Sequence, residues 1–399
     1  MTWLGPNTVI YQIFIDRFAV PKPPLDPTHP EIDPGDKMAR PDDTKPIFCG
    51  GTLRGIIEHF DHLKGLGISA IWLSPFYKGE AYHGYHPTDL YAVDPHFGTE
   101  EDLKELIALC HKNGIKIIAD FVPNHVSDKH PYFLDAQRNF MSKYRDWFYF
   151  TNWPNSYLTF LSVKELPKLN LENLDTRAYI IEAAEKWMDM GFDGLRLDHI
   201  QGASDGFWKA FFGVMTTKYP DAAYIGEAWL DGTTLKHLKT INTPNKLLAW
   251  LRGTPYLMQH YLEFFPSVLD FEFISLARKY AEGKLRRDQF HEQAVLHAGS
   301  EYKWSTPTFL DNHDTDRFMF VVGNDVERYK DVARMQFELP LPVIIYQGAE
   351  FAMSQDKWKD TYHDNGDLVA RRMIPWQKGS GLLYDFYRDL IHKKTNPQT

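Results

Sequence analysis

The chain has 399 residues, 43% hydrophobic and 24% charged, a balance that supports a large core and argues against disorder. Its formal net charge of −9 argues against nucleic acid or an anionic membrane as a partner, because binding to phosphates requires a basic face. The two cysteines, Cys49 and Cys110, exclude a disulfide framework and lack zinc-binding spacing.

Two further absences concern location. The sequence has no uninterrupted apolar run of about 18 residues, so we predict no membrane span. Its first residues lack the basic and apolar regions of a secretory signal. We therefore expect a cytoplasmic protein, although a mature secreted protein would look the same.

Strand-like and helix-like runs alternate along the first part of the chain, which predicts a parallel sheet. The clearest helix signal is a capping box, in which Thr99 precedes Asp102 at the start of an apolar-periodic run. The predicted strands are 9–15, 68–73, 115–122, 192–197 and 222–226. The predicted helices are 53–66, 99–112, 176–190 and 207–218.

The later elements have weaker signals. We predict further strands over 267–273, 306–310 and 342–346, and helices over 276–283, 284–297, 326–338 and 382–394. Eight strand–helix units in succession predict a closed (β/α)8 TIM barrel.

Three segments interrupt this alternation. Residues 123–175, rich in Pro, Asn, Trp and Tyr, are too long for a simple loop and predict a small inserted domain after the third strand. The barrel would then comprise residues 1–122 and 176–399. Residues 231–266 form a second long connection, and residues 19–48 have the Pro- and Asp-rich composition of a surface loop.

Acidic and imidazole side chains close four of the predicted strands. The segments are DFVPNH (Asp120–His125), GLRLDH (Gly194–His199), IGEAW (Ile225–Trp229) and FLDNHD (Phe309–Asp314). In a parallel barrel the carboxyl ends of the strands share one face, which is where catalytic residues lie. We therefore expect Asp198, Glu227 and Asp314 to converge.

Three converging carboxylates indicate either a metal site or glycosidase-type catalysis. Arg196 lies two residues before Asp198, so both point to one side of the strand, and its charge would keep Asp198 ionised as a nucleophile. Glu227 has apolar neighbours, which raise a carboxyl pKa and suit a general acid. His125 and His313 would donate hydrogen bonds to hydroxyls.

Each of these residues taken singly has a structural explanation, such as a helix cap or a solvated charge. A metal site is disfavoured because the sequence has no HxH or HExxH spacing. The structural explanations weaken when four strand ends carry such groups together.

The same segments resemble the signatures of the α-amylase family, glycoside hydrolase family 13. DFVPNH, GLRLDH, EAW and FLDNHD are similar to its first four signatures, and LPKLN (Leu166–Asn170) to its fifth, in the form found in neopullulanases and cyclomaltodextrinases. The resemblance covers nearly the whole chain. It implies a barrel with a domain B after the third strand, and we see no segment like the family's C-terminal β-sandwich.

The resemblance implies a role for each matched residue. Asp198 matches the nucleophile, Glu227 the general acid/base, and Asp314 the carboxylate that binds sugar hydroxyls. Four residues match substrate-binding positions of the family: Tyr85, His125, Arg196 and His313. We add His199, beside the nucleophile, as a fifth candidate. The implied partner is an α-glucan or oligosaccharide; the sequence predicts no oligomeric state.

Some positions depart from the family pattern. Gln201 and Gly202 stand where many α-amylases have Lys-His, which disfavours typical endo-amylase specificity. The resemblance implies no required cofactor. Asn124 matches a calcium ligand of the family, but the Lys-His segment that completes that site is missing, so we treat structural calcium as permitted and not required.

Three functions remain open from the sequence. The first is a retaining hydrolase of α-1,4 bonds in maltooligosaccharides, with α-1,6 bonds or cyclodextrins as further substrates. The second is a transglycosidase or isomerase of the same family acting on maltose, trehalose or sucrose. The third is a non-catalytic glucan-binding homologue, which the intact Asp198, Glu227, Asp314 and Arg196 disfavour.

Overall fold

The structure is a computed structural model that describes residues 2–21, 42–230, 241–242, 245–299, 306–360 and 366–396. Its strands are, in chain order, β1 (Val9–Ile13), β2 (Ala70–Leu73), β3 (Tyr77–Gly79), β4 (Pro87–Val93), β5 (Lys116–Phe121), β6 (Phe150–Asn152), β7 (Ser156–Tyr157), β8 (Gly194–Leu197), β9 (Ala223–Gly226), β10 (Ser267–Val268) and β11 (Val343–Tyr346). Short runs of β-branched and apolar residues form most of them, as expected for strands buried on both faces.

Seven of these strands form one parallel sheet in the order β10-β9-β8-β5-β2-β1-β11. Residues 306–308 fill the gap between its two ends. Thr308 forms a parallel bridge with Val343, and the amide of Asp270, just beyond β10, donates to the carbonyl of Pro307. The ring is thereby closed with eight parallel positions, and the predicted (β/α)8 barrel is confirmed.

Helices surround this ring and bury its outer face. Their bounds are Ile15–Phe18, Leu53–Glu58, Phe60–Leu66, Glu100–Lys112, Pro131–Arg138, Leu174–Met190, Asp205–Lys218, Lys246–Arg252, Thr254–Tyr261, Phe271–Ala281, Arg287–Ala298, Phe318–Val321, Val326–Glu338 and Tyr384–Thr395. Among the described residues, no helix combines the length and the apolar character needed to cross a bilayer.

Two predicted strands were partly wrong. The sixth ends at Val268, because Asp270 accepts a hydrogen bond from the amide of Phe273 and so caps the helix Phe271–Ala281. The seventh, predicted over 306–310, is reduced to the single bridge at Thr308. The helix predicted over 53–66 is also interrupted, at His59.

The interrupting segments differ in how much the structure describes. Within 123–175 lie the helix Pro131–Arg138 and the hairpin β6–β7, and an isolated bridge joins His125 to Lys168. The described part of the connection 231–266 holds two helices, and its residues 231–240 and 243–244 lie outside the described residues. Residues 22–41 of the predicted surface loop also lie outside them. The predicted domain boundaries stay a prediction.

Candidate active site

The carboxyl ends of the strands surround a cavity of about 450 Å³. Asp198 directly follows β8, Glu227 directly follows β9, and Asp314 lies beyond the bridging residue Thr308. All three line the cavity. Because parallel strands end at one face, these side chains, which are far apart in sequence, share one cavity.

Arg196 is the buried centre of this site. From β8 its Nη1 contacts Asp198 Oδ1 at 2.7 Å and Asp120 Oδ1 at 2.8 Å, and its Nη2 contacts Glu227 Oε1 at 2.7 Å. The sequence argument assigned this arginine to Asp198 alone. One guanidinium instead compensates three carboxylates, so contact with Arg196 does not by itself distinguish the nucleophile from the acid.

Burial distinguishes the three cavity carboxylates more clearly. It raises the pKa of Glu227 to about 8, although the charge of Arg196 opposes the shift. Burial also raises the pKa of Asp198, against the effect of Arg196. For Asp314, burial is outweighed by His313, Arg371 and Lys359, and its pKa falls well below the usual range. Near neutral pH Glu227 therefore holds a proton and Asp314 does not.

Tyr85 forms one wall of the cavity, and His313, one of the predicted substrate-binding residues, is fully buried behind it and does not line the cavity. Their rings are parallel, with centroids 5.4 Å apart, and the Tyr85 hydroxyl lies 2.6 Å from His313 Nε2. The same hydroxyl donates to Asp120 Oδ2 at 2.8 Å. Gln12 from β1 contacts His313 Nδ1 at 2.6 Å and so fixes the ring. These contacts hold the Tyr85 ring in place, so that it offers a flat face to the cavity.

Two further histidines complete the predicted set. His125 Nε2 contacts the backbone oxygen of Tyr85 at 3.1 Å, and burial lowers its pKa to about 3. His199 has a left-handed backbone, with φ of 44°, which directs its amide to Glu227 Oε2 at 3.1 Å. Burial lowers the pKa of His199 as well. Both rings are therefore neutral hydrogen-bonding groups near pH 7.

Gln201 and Gly202, the residues that depart from the family pattern, have specific contacts here. Gln201 Nε2 donates to the carbonyl of Trp229 at 2.9 Å and contacts His199 Nδ1 at 3.2 Å. A Cβ on Gly202 would lie 2.0 Å from Asn124 Oδ1, so this position requires glycine. The two residues connect the loop after β8 to the ends of β5 and β9.

Comparison with known proteins identifies the family. The model for the α-amylase catalytic domain matches residues 12–382. The chain belongs to the α-amylase family. Among its curated relatives, α-amylase 2 of Dictyoglomus thermophilum is 34% identical over 98% of this chain and 64% of its own, and neopullulanase 2 of Thermoactinomyces vulgaris is 31% identical over 96% and 62%.

Solved structures agree with this family assignment. The cyclic α-maltosyl-(1→6)-maltose hydrolase of Arthrobacter globiformis, in complex with maltose, superimposes with a TM-score of 0.80 at 27% identity, covering 99% of this chain and 84% of that one. The chain spans less than two thirds of the length of the two curated relatives named above.

In this α-amylase family chain, the surroundings of Asn124 do not fit a calcium ion. Calcium takes six to eight oxygen ligands, typically with several carboxylates. Within the part of the chain that the structure describes, Asn124 Oδ1 has no hydrogen-bond partner, but it packs against the α-carbon side of Gly202. Among the described residues, the one group of three acidic or imidazole side chains with suitable spacing is Asp270, Glu272 and His297, at the end of β10.

Several residues of the site were not predicted from the sequence. Asp120, which belongs to the DFVPNH segment, is fully buried beneath the cavity residues and bonded to Arg196, Tyr85 and Trp72. Arg371 contacts Asp314 Oδ1 at 2.8 Å, and Lys359 and Asp367 lie beside it. These three come from the segment after β11, where no motif or strand-end pattern marked them.

Proposed function

We propose that the chain is a retaining α-glycoside hydrolase that cleaves α-1,4-glucosidic bonds in maltooligosaccharides and related α-glucans. The supporting observation is the pair Asp198 and Glu227 on adjacent nitrogens of one guanidinium. Retaining glycosidases hold their two carboxyl groups about 5–5.5 Å apart, whereas inverting ones need about 6.5–9.5 Å to seat a water. Two carboxylates bridged by Arg196 fit the shorter separation.

The two carboxyl groups divide the chemistry. Asp198 attacks the anomeric carbon while Glu227, whose raised pKa keeps it protonated, gives its proton to the leaving oxygen. Glu227, now ionised, takes a proton from water, which attacks the anomeric carbon and releases Asp198. In the glycosyl-enzyme Asp198 is an uncharged ester, so the ionised Glu227 is the one anion of this pair, and Arg196 compensates its charge.

The other cavity residues hold the sugar. Tyr85 offers the face of its ring, and His125 and Asp314 offer hydrogen-bonding groups, while the buried His313 holds Tyr85 and Asp314 in position. Asp314, kept ionised by His313 and Arg371, would accept hydrogen bonds from two adjacent hydroxyls and favour the positive charge that develops on the ring.

The choice of substrate rests on the relatives. They include an α-amylase, a neopullulanase and a cyclomaltodextrinase, which supports α-glucans and cyclodextrins as substrates. A further relative, 27% identical, is the intracellular maltogenic amylase of Bacillus subtilis, and it supports our proposal of a cytoplasmic location.

The first experiment compares wild type with Asp198→Asn and Glu227→Gln on maltotriose, β-cyclodextrin, pullulan and sucrose. We expect each substitution to lower kcat by about 10²–10⁴-fold, the usual contribution of such a group. Asp221→Asn removes an exposed carboxylate just before β9 and serves as the matched control. Circular dichroism would verify that every variant is folded.

The product panel also separates the alternatives. Near-wild-type turnover by either active-site variant refutes the assigned roles. Turnover of sucrose without cleavage of maltotriose supports the transglycosidase or isomerase instead. Binding of maltotriose by the wild type without any product supports the non-catalytic homologue.

A further inference from the structure

The loop after β8 places a histidine directly beside the nucleophile. His199 follows Asp198 and lines the active-site cavity. Its backbone amide is bonded to Glu227, so the ring is the part of His199 that remains for a ligand. A neutral imidazole has one nitrogen that donates a hydrogen bond and one that accepts. What the ring offers to the cavity therefore depends on which nitrogen carries the proton.

The side-chain amide of Gln201 has only one possible orientation. Gln201 is buried and lies two residues after His199, within the single turn Ile200–Gly202. Its terminal group lies 2.9 Å from the carbonyl oxygen of Trp229. Since only the nitrogen of an amide side chain can donate to a carbonyl, Nε2 must be the atom that faces Trp229. Exchange of the amide oxygen and nitrogen would lose this bond.

The same nitrogen also determines the tautomer of His199. Gln201 Nε2 carries two hydrogens, and it lies 3.2 Å from His199 Nδ1. Because an amide nitrogen donates and does not accept, Nδ1 must accept, and the proton of the neutral ring then lies on Nε2. Among the described residues, no group is hydrogen-bonded to His199 Nε2. The ring can therefore donate one hydrogen bond to a ligand in the cavity.

The charges around the ring keep it neutral. Burial, and then Lys168, His125 and Arg196, hold the pKa of His199 well below its usual range. The neighbouring carboxylate of Glu227 accepts from the backbone amide of His199 and not from its ring. Near neutral pH the ring therefore carries a single proton, and hydrogen bonding to Gln201 decides where that proton lies.

We propose that Gln201 is a positioning residue that holds His199 in the Nε2–H tautomer, and that this N–H donates to a hydroxyl oxygen of the bound sugar. The contact with the sugar rests on the proposed function, whereas the tautomer does not. The opposite tautomer would turn a lone pair toward the same oxygen and repel it. Gln201 also connects the loops after β8 and β9 through Trp229, so the experiment must separate this bracing contact from the effect on the tautomer.

Nuclear magnetic resonance measures the tautomer directly in the intact chain. With isotopically labelled histidine, protonated and unprotonated ring nitrogens have well separated chemical shifts, and His199→Phe identifies the signals of this ring among the 17 histidines. We expect the wild type to carry the proton on Nε2 from about pH 6 to pH 8. A proton on Nδ1 would overturn the proposal. In Glu227→Gln, which suppresses turnover, maltotriose should shift the Nε2 signal.

Two substitutions separate the tautomer from the bracing contact. Gln201→Met and Gln201→Glu both lose the bond to the Trp229 carbonyl, but only an ionised glutamate accepts the proton of Nδ1 and so reverses the tautomer. At about pH 8 we expect kcat/KM for maltotriose to be about tenfold lower in Gln201→Glu than in Gln201→Met. The difference should narrow as pH falls, because a second proton on the pair restores the Nε2–H donor. Gln293→Glu makes the same change at an exposed position of the helix Arg287–Ala298 and should leave kcat/KM unchanged.

Two further outcomes overturn the proposal. The first is an equal loss in folded Gln201→Met and Gln201→Glu at every pH, because a bracing contact alone is lost in both. The second is an Nε2 signal that maltotriose does not move. If Gln201→Glu does not fold, the wild-type tautomer and the maltotriose titration still decide. Each outcome leaves cleavage by the wild type intact, whereas a wild type that cleaves no α-glucan refutes the proposed function and leaves the tautomer unaffected.

Discussion

At the scale of single residues, the protonation states of Glu227 and Asp198 set the pH dependence. Catalysis requires Glu227 protonated and Asp198 ionised. Burial raises both pKa values, that of Glu227 to about 8. Activity should therefore rise with pH as Asp198 loses its proton, and fall as pH passes through about 8 and Glu227 ionises. The measurement is kcat/KM for maltotriose from about pH 4 to pH 10.

The same shift has a consequence for stability. The pKa of Glu227 is higher in the folded chain than the usual 4.5, so the folded state binds more protons between about pH 4.5 and pH 8. The contribution of Glu227 to the unfolding free energy is present below that window and is lost as pH rises through it.

For the activity profile, a kcat/KM that stays flat to about pH 10 would contradict the assignment of Glu227 as the acid.

The sequence predicted much of the site at this scale, because strand ends are recognisable. Asp198, Glu227 and Asp314 lie in one cavity together with the predicted Tyr85 and His199. The sequence could not show that Arg196 contacts three carboxylates, since these contacts depend on the register of β8 against β5, in which Arg196 lies opposite Asp120. The left-handed backbone of His199, which directs its amide to Glu227, could not be predicted from the sequence either.

At the scale of elements, the turn after β8 depends on one glycine. The ideal Cβ of a residue at 202 would lie 2.0 Å from Asn124 Oδ1 and 2.8 Å from His199 Cδ2. Gly202→Ala must therefore displace Asn124 or the His199 ring. We expect a loss of about 1–3 kcal/mol in unfolding free energy, the usual effect of overpacking, and a lower kcat/KM.

Gly213→Ala is the matched control for Gly202→Ala. Gly213 lies exposed within the helix Asp205–Lys218, and nothing is within 4 Å of its ideal Cβ. Alanine there should stabilise the chain by about 0.5–1 kcal/mol, because glycine weakens a helix interior. Urea unfolding of both variants measures the difference. Equal stability of Gly202→Ala and wild type would refute the contact with Asn124.

Local chemistry decided which elements the sequence could predict. The helix at Glu100–Lys112 begins where the capping box of Thr99 and Asp102 placed it, and Val326–Glu338 has the predicted bounds. The prediction of the sixth strand was partly wrong because the run Ser267–Phe273 contains both a two-residue strand and the start of a helix. Asp270 separates them through its side chain, and periodicity does not detect such a cap within an apolar run.

At the scale of the whole molecule, the parallel ring explains why distant motifs share one cavity. The residues around it lie between His83 and Arg371 in the chain and come from strand ends, from the inserted segment 123–175 and from the segment after β11. The sequence predicted this ring from the count of strand–helix units. It did not predict that the segment after β11 returns to the cavity, where Arg371 holds Asp314, because that contact follows from the closure of the ring.

We propose that the folded chain needs no calcium. Lys168, opposite His125 in the bridge next to Asn124, is buried, and burial lowers its pKa to about 8, so the surroundings of Asn124 already disfavour another cation. At the end of β10, both ring nitrogens of His297 contact carboxylates, of Asp270 at 2.7 Å and of Glu272 at 3.3 Å. These contacts already engage both ring nitrogens of His297.

Dialysis against EDTA tests this on the intact chain. A structural ion at 1,000 times its Kd contributes about 4 kcal/mol to stability, so its removal would lower the melting temperature by several degrees. We expect the melting temperature and the maltotriose activity to stay unchanged. A fall in both that CaCl₂ restores and MgCl₂ does not would contradict the proposal, because only a site built for the larger ion discriminates in that direction.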